Sequence, residues 1–339
     1  MNFHRDGQNR HAITKGKINY YPNRDDVLPP ASAADGAYID YPEKLVAMKQ
    51  RIHSKKFGEH FKQVQTFWNS MSEIEKEHIC KALSFQLDHC DDERVYTRMV
   101  QRLTDISLDL AQAVAEKVGA PTPTKEGRKN HGLKVKGLSQ FDFTPEAQGL
   151  APTIASRTVA IIVDNGFNYW EVEAVKRVLG NAGAFVYCIG PGKQPIESFG
   201  GKEITPDHHF EGARSTLFDT VYIPGGKHVD KLMNQGRVIH WVREAFGHCK
   251  AIGATGEGAH LVKKAIGDVE GLNICSGVEL VDSYGVVTAG ALGEKQGTAT
   301  DTLNMQEGAR HFLDAYAWNI SRHRNFEREL HGLTSKVAY

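Results

Sequence analysis

The amino-acid sequence predicts an α/β fold built on a doubly wound parallel sheet, preceded by an extended arm and an all-α helical segment. Three observations predict it. From residue 157 onward, short continuous apolar runs alternate with amphipathic stretches of helical period, the pattern of parallel strands buried on both faces and joined by crossover helices. Before residue 120, a polar, turn-rich opening gives way to apolar stripes spaced by three and four, with no strand-like alternation. Between these halves, residues 121–156 are rich in Pro, Gly and charge, which reads as a linker and sets a domain boundary near Arg157.

The elements follow in order. Residues 1–50 include Asn19-Tyr20-Tyr21-Pro22-Asn23 and Leu28-Pro29-Pro30, show no sustained period, and read as an arm that needs a surface to lie on. Residues 51–120 are helical. Ser72 with Glu75 reads as a capping box leading into Ile79, Leu83 and Leu87. A second stripe, Val95, Met99, Leu103, Ile106, Leu110, Val114 and Val118, is closed by Gly119 and Pro121. Together they predict an antiparallel helix pair whose apolar faces need further surface.

In the 157–339 segment, strands are predicted at Thr158–Val163, Ala184–Ile189, Thr220–Ile223, Ala251–Ala254 and Tyr284–Ala289. Helices are predicted at about Tyr169–Ala182, Val229–Phe246 and Asn304–His323. This alternation specifies a flavodoxin-like sheet, whose sites lie at the carboxyl ends of the strands.

Composition bounds the function. A length of 339 residues with 40% hydrophobic and 24% charged residues is that of an ordinary globular protein of about two domains. Lys plus Arg and Asp plus Glu balance at 41 each, so no global field argues for a nucleic-acid or membrane partner. No apolar run approaches the roughly 18 residues that span a bilayer, and the opening at Met1 to Arg10 lacks the apolar core of a signal peptide. A soluble chain is expected, with the cytoplasm the favoured compartment. Cys80, Cys90, Cys188, Cys249 and Cys275 are odd in number and lack CxxC spacing, so buried thiols are expected rather than disulfides or a zinc site.

The most informative segment is Lys250 to Val262, KAIGATGEGAHLV: an apolar strand, a Gly-rich turn, then a helix, with Gly256 at the apex where a nucleophile elbow carries its nucleophile. A Cys or Ser at such an apex is lifted above the sheet beside exposed helix amides and activated; Gly256 has nothing to activate. By itself the segment reads equally as an elbow without a nucleophile or as a plain turn ending a buried strand.

Other signals are weaker. Gly190-Pro191-Gly192-Lys193 lacks phosphate-loop spacing and reads as a turn. Adjacent His208 and His209 in an extended segment point to opposite sides, so exposed histidines are expected rather than a metal site. Asn319-Ile320-Ser321 is a formal glycosylation sequon on a predicted helix and carries little weight.

Over about Arg157 to Gly267 the chain resembles the DJ-1/PfpI superfamily, related to class I glutamine amidotransferases, through TVAIIVDNGFNYWE ending on Glu171, FDTVYIPGG ending on Gly225-Gly226, and KAIGATGEG. The resemblance puts Glu171 on the family's acid, Gly256 on its cysteine and Glu257 on its histidine. The amides of Gly225 and Gly226 fall on its oxyanion-stabilising turn. Without a thiol at the apex no covalent chemistry is expected, and Cys249, before the strand, lies at the wrong end to replace it. The site is expected to be vestigial, with Glu171 and Glu257 either a carboxylate pair with one raised pKa or a hydrogen-bonded remnant.

A second resemblance covers nearly the whole chain. RDGQ at Arg5–Gln8, NYYPN at Asn19–Asn23, FWNSMSEIEKEHICKALSFQL at Phe67–Leu87 and DISLDLAQAVAEKVG at Asp105–Gly119 are similar to haem catalases beyond their haem-binding region. HCKAIGATGEG and SRHRNFERE at Ser321–Glu329 are similar to the extra C-terminal domain of large-subunit (clade 2, fungal) catalases. The resemblance implies a parent that decomposes hydrogen peroxide to water and oxygen on haem, assembles as a tetramer, and is cytoplasmic, secreted or held in a cell wall.

It implies for this chain no haem, metal or other cofactor, since no RxFxYxD motif is present. Self-association and, as in chaperone members of the DJ-1 superfamily, binding of unfolded client proteins are the expected roles. A residual hydrolase or a small-molecule-sensing pocket is the alternative.

Overall fold

The computed structural model describes residues 33–36, 39–135, 137–139, 151–292 and 303–339. The RDGQ and NYYPN motifs, with Tyr20 and Tyr21, lie outside the described residues. Two compact units are present, one spanning Pro42–Asp142 and one holding the described residues after Phe143.

Among the described residues the first unit contains four α-helices: α1 (Lys62–Ser70), α2 (Glu73–Asp88), α3 (Glu93–Leu103) and α4 (Leu108–Val118). The capping box is present as the sequence predicts: Ser72 Oγ accepts from the Glu75 amide while the Glu75 side chain accepts from the Ser72 amide. The second stripe is not one helix. It breaks at 104–107, where the Asp105 and Ile106 amides close a last turn on Arg102 and Leu103 and Thr104 Oγ1 donates to the Gln101 carbonyl. The break rotates the apolar face. Val100, Leu103, Leu110, Ala111, Val114 and Ala115 fill the core with Trp68, Cys80 and Leu87, whereas Val95 and Met99 are exposed.

The polar segment after Gly119, expected to be linker, lies along this unit over part of its length. Gln65 Nε2 donates to the Asp105 and Lys129 carbonyls, and Asn69 Nδ2 donates to Asn130 and Gly132. The amide side chains of α1, Gln65 buried and Asn69 half-buried, thus satisfy backbone that composition alone leaves unassigned.

The second unit is a seven-stranded sheet. Its strands are β1 (Thr158–Ile162), β2 (Phe185–Gly190), β5 (His208–His209), β6 (Thr220–Ile223), β7 (Ala251–Thr255), β8 (Val281–Ser283) and β9 (Val286–Ala289). The order is β5-β2-β1-β6-β7-β9-β8, parallel except for the β8–β9 edge pair. A small antiparallel pair, β3 (Ile196–Glu197) with β4 (Glu203–Ile204), stands apart. The chain winds outward from β1 to β2 and then returns past β1 to β6, so a topological switch point lies between β1 and β6.

Successive strand residues enter opposite cores, which is why these strands read as unbroken apolar runs. Ala160, Ile162, Val221, Ile223 and Ile252 pack on one face, against α6 (His228–Leu232), α7 (Gly236–Gly247) and α8 (Gly258–Ile266). Val159, Ile161, Tyr222 and Val287 pack on the other, against α5 (Tyr169–Asn181) and α9 (Phe312–Ser321).

Two helices are shorter than expected. The Val229–Phe246 prediction divides at Met233–Gln235 into α6 and α7, and the closing helix begins at Phe312 rather than Asn304. A last short helix, α10 (Glu327–Leu330), carries the end of the SRHRNFERE motif. No helix among the described residues is long and apolar enough to cross a membrane.

Candidate functional site

The strand ends β1, β6 and β7 bring the five sequence-predicted site residues together. Thr255 ends β7, Gly256 turns with φ +53°, and α8 begins at Gly258. The Gly256 amide donates to the Ala289 carbonyl at 2.9 Å, fixing the turn to β9. A Cβ at Gly256 would meet Gly225 Cα at 3.4 Å and Gly290 O at 3.5 Å, ordinary contacts, so the apex has room for a side chain that it does not carry. Its left-handed φ is what glycine adopts at little cost and an L side chain resists.

Glu171 sits in the first turn of α5, whose amino end is capped by Asn168 Oδ1 accepting from the Trp170 and Glu171 amides. The side chain is 7% exposed, and Oε2 accepts from the Gly225 amide at 2.7 Å and Thr255 Oγ1 at 2.8 Å. Thr255 Oγ1 in turn pairs with the hydroxyl of buried Tyr222 at 2.7 Å. Burial pushes the Glu171 carboxyl up, against the lowering effect of its hydrogen bonds. Glu257, on the rim, accepts from the Gly226 amide at 2.8 Å; its own amide and that of Gly226 hold its carboxyl below the usual range.

The oxyanion-type turn is therefore occupied from within. Gly226 has φ +125°, and a Cβ there would lie 2.5 Å from the Gly166 carbonyl oxygen, so this close approach admits only glycine. The Gly225 and Gly226 amides already donate to carboxylates of the same chain. An oxyanion hole needs donors aimed at the place where charge develops; here Glu171 and Glu257 hold those donors.

Sequence reasoning missed His228. It opens α6, is fully buried, and neither ring nitrogen makes a hydrogen bond of ordinary geometry among the described residues. Burial lowers its pKa to about 4, so it stands neutral beside the elbow. It follows directly on the Gly-Gly-Lys turn, and only the fold brings it near Glu257. A second omission is a cleft of about 650 Å³ beside the elbow, whose walls include Tyr169, Trp170, Phe199, Lys202, Lys227 and Glu257. Trp170 and Phe199 are 69% and 72% exposed, a signal that the apolar periodicity of the sequence could not carry.

The remaining candidates fall elsewhere. Cys249 precedes β7 at the opposite end from the apex, and burial raises its thiol to about 11. His208 and His209 form the edge strand β5, and no group of three metal-ligating side chains occurs among the described residues. The Gly190–Lys193 turn leads into β3 rather than a helix, so it lacks the helix amides of a phosphate loop. Asn319 is buried on α9 with Nδ2 donating to Asp282 and the Ala315 carbonyl, which closes the sequon to modification.

No tyrosine of the packed core or of the cleft is placed as a haem-iron ligand. The fully buried tyrosines, Tyr222 on β6 and Tyr316 on α9, have their hydroxyls bonded to Thr255 and Thr220, and the cleft's own tyrosine, Tyr169, lies under the Lys202 ammonium.

Comparison with known proteins matches residues 54–118 to the catalase-related immune-responsive family and residues 157–302 to the DJ-1/PfpI family. Over its whole length the chain is 47% identical to Catalase-1 of Neurospora crassa and 44% identical to Catalase A of Aspergillus fumigatus, covering 45% and 46% of those proteins. Over 85% of its length it is 35% identical to a catalase of Alkalihalophilus pseudofirmus, covering 39% of it. The chain thus spans somewhat under half the length of the curated relatives it matches. With a catalase-related helical segment joined to a DJ-1/PfpI domain, it belongs to the large-subunit catalases and corresponds to their C-terminal part.

Proposed function

We propose that this chain is the noncatalytic C-terminal module of a catalase that decomposes hydrogen peroxide, and that it stabilises the oligomer and holds unfolding proteins. One observation carries the noncatalytic reading: the elbow lacks a nucleophile at Gly256, and the amides that would hold an oxyanion are spent on Glu171 and Glu257. The helical unit supports the association reading. Phe67, Phe85, Val95 and Met99 are exposed on its surface, as are Leu45, Val46, Met48 and Ile52 in the extended residues before it. Where such groups join into a contiguous patch, they bind other apolar surfaces.

The reading is tested with the full 339-residue chain. Light scattering after size exclusion should give a mass well above the 37.6 kDa of one copy. The chain should suppress aggregation of a heat-denatured client, and deletion of residues 1–150 or 151–339 should map the activity. No suppression by the chain or by either piece sinks the client-holding role; a strictly monomeric chain sinks self-association. A thiol-directed probe should leave the elbow of the wild type untouched and label it in Gly256→Cys, whereas hydrolase turnover by the wild type would restore the enzymatic alternative.

The cleft beside the elbow favours a second reading, a small-molecule-binding pocket. It lies at the carboxyl ends of the strands, next to the switch point, where open α/β sheets place their ligands.

A further inference from the structure

The cleft has a chemistry that its position alone does not explain. Its two exposed rings, Trp170 and Phe199, line one concave surface. Each carries a cation: Lys202 Nζ stands 4.2 Å from the Trp170 ring centre and 4.6 Å from that of Tyr169, and Lys227 Nζ stands 5.5 Å from that of Phe199. Ammonium groups over ring faces hold a positive edge next to stacking surface. The same lining also carries one negative charge. Glu257 is tied to the Gly226 amide and thereby fixed in place as an acceptor.

A ring face, two cations and one carboxylate around about 650 Å³ define a ligand by complementarity. The volume lies within the roughly 300–1,000 Å³ of ordinary small-molecule sites. Aromatic surface favours a planar ring, since every π-face stacks irrespective of its substituents. The lysines favour an anion, which charge-assisted hydrogen bonds hold more strongly than neutral ones. Glu257 repels an anion at its own end and rewards a donor there.

We propose that this cleft binds a planar aromatic small molecule with a phosphate or carboxylate at the Lys202 and Lys227 edge and an N–H or O–H donor toward Glu257. The inference rests on the pocket reading and is independent of oligomer stabilisation and client holding.

Isothermal titration of the full chain tests it with two anionic aromatics, adenosine 5′-monophosphate and indole-3-acetate. Adenosine and indole serve as rings without the anion, and ribose 5-phosphate and acetate as anions without the ring. At least one anionic aromatic should bind, at least tenfold more tightly than both its ring-only and its anion-only counterparts; which of the two binds identifies phosphate or carboxylate as the anion.

The double variant Lys202→Ala/Lys227→Ala and the single variant Trp170→Ala should each weaken that binding at least fivefold. All three side chains are exposed, so unchanged far-ultraviolet circular dichroism is expected to accompany the loss. Absence of binding by both anionic aromatics at millimolar concentration overturns the proposal, as does binding that the variants leave unchanged. Equal binding of the bare rings keeps a pocket and overturns its anion selectivity. A chain that suppresses aggregation yet binds no probe overturns this inference alone.

Discussion

Glu171 connects most of the site's chemistry, because one buried carboxyl oxygen accepts from the Gly225 amide and the Thr255 hydroxyl, and that hydroxyl reaches Tyr222. Its pKa is raised by burial, so its contribution to stability is complete below its ordinary value of 4.5 and is lost as pH rises through the elevated value. Glu171→Gln keeps an acceptor oxygen without the buried charge, so the melting temperature of the wild type should fall relative to that of Glu171→Gln between pH 5 and pH 8. Glu171→Leu leaves two buried donors unpaired and should cost about 2 kcal/mol in urea denaturation. A wild type and Glu171→Gln that track each other across this range would show that burial does not raise the carboxyl's pKa. The acid itself was legible in the sequence at the end of TVAIIVDNGFNYWE. Its partner Thr255 was not, because a threonine ending a buried strand is indistinguishable by pattern from one that merely packs.

Among the elements, α6 shows what local pattern misses. The periodicity from Val229 to Phe246 is continuous, yet the helix divides at Met233–Gln235, and His228 is fully buried at its start. Burial depresses His228 from 6.5 to about 4, so its contribution is present above pH 6.5 and is lost as pH falls toward 4. His228→Leu should match the wild type at pH 7 and be the more stable of the two at pH 4.5, by on the order of 2 kcal/mol in chemical denaturation. Equal acid sensitivity in both would assign the loss to other groups. By contrast, the capping box at Ser72 and Glu75 was fully legible, since its two hydrogen bonds join residues only three apart. The break at 104–107 was not: the apolar spacing runs through it unaltered, and the turn becomes evident only from which residues reach the core.

At the scale of the whole molecule, the SRHRNFERE motif tightens the amino-terminal end of the sheet. Arg328 is fully buried, its Nε and Nη2 donate to the Tyr284 carbonyl and Nη1 donates to that of Phe246, and its guanidinium lies 4.4 Å from the Phe246 ring centre. Burial lowers its pKa, yet only to about 10, so it remains charged at neutral pH. Arg328→Lys cannot span both carbonyls with one ammonium and should cost about 3 kcal/mol, read as a lower urea midpoint at unchanged slope. A midpoint unchanged from wild type would remove Arg328 from the structural framework. The sequence by itself determined the parallel sheet, the places of its five central strands β2, β1, β6, β7 and β9 but not of the edge strands β5 and β8, and the missing nucleophile, because burial on both faces and the identity of residue 256 are written in consecutive residues. The tertiary structure alone decided that the oxyanion amides are already engaged and that a charged aromatic cleft opens beside them. Those facts depend on Glu171 and Glu257 meeting Gly225 and Gly226 across 54 and 31 residues of chain, and on rings and lysines from separate turns converging; no periodicity encodes such distances.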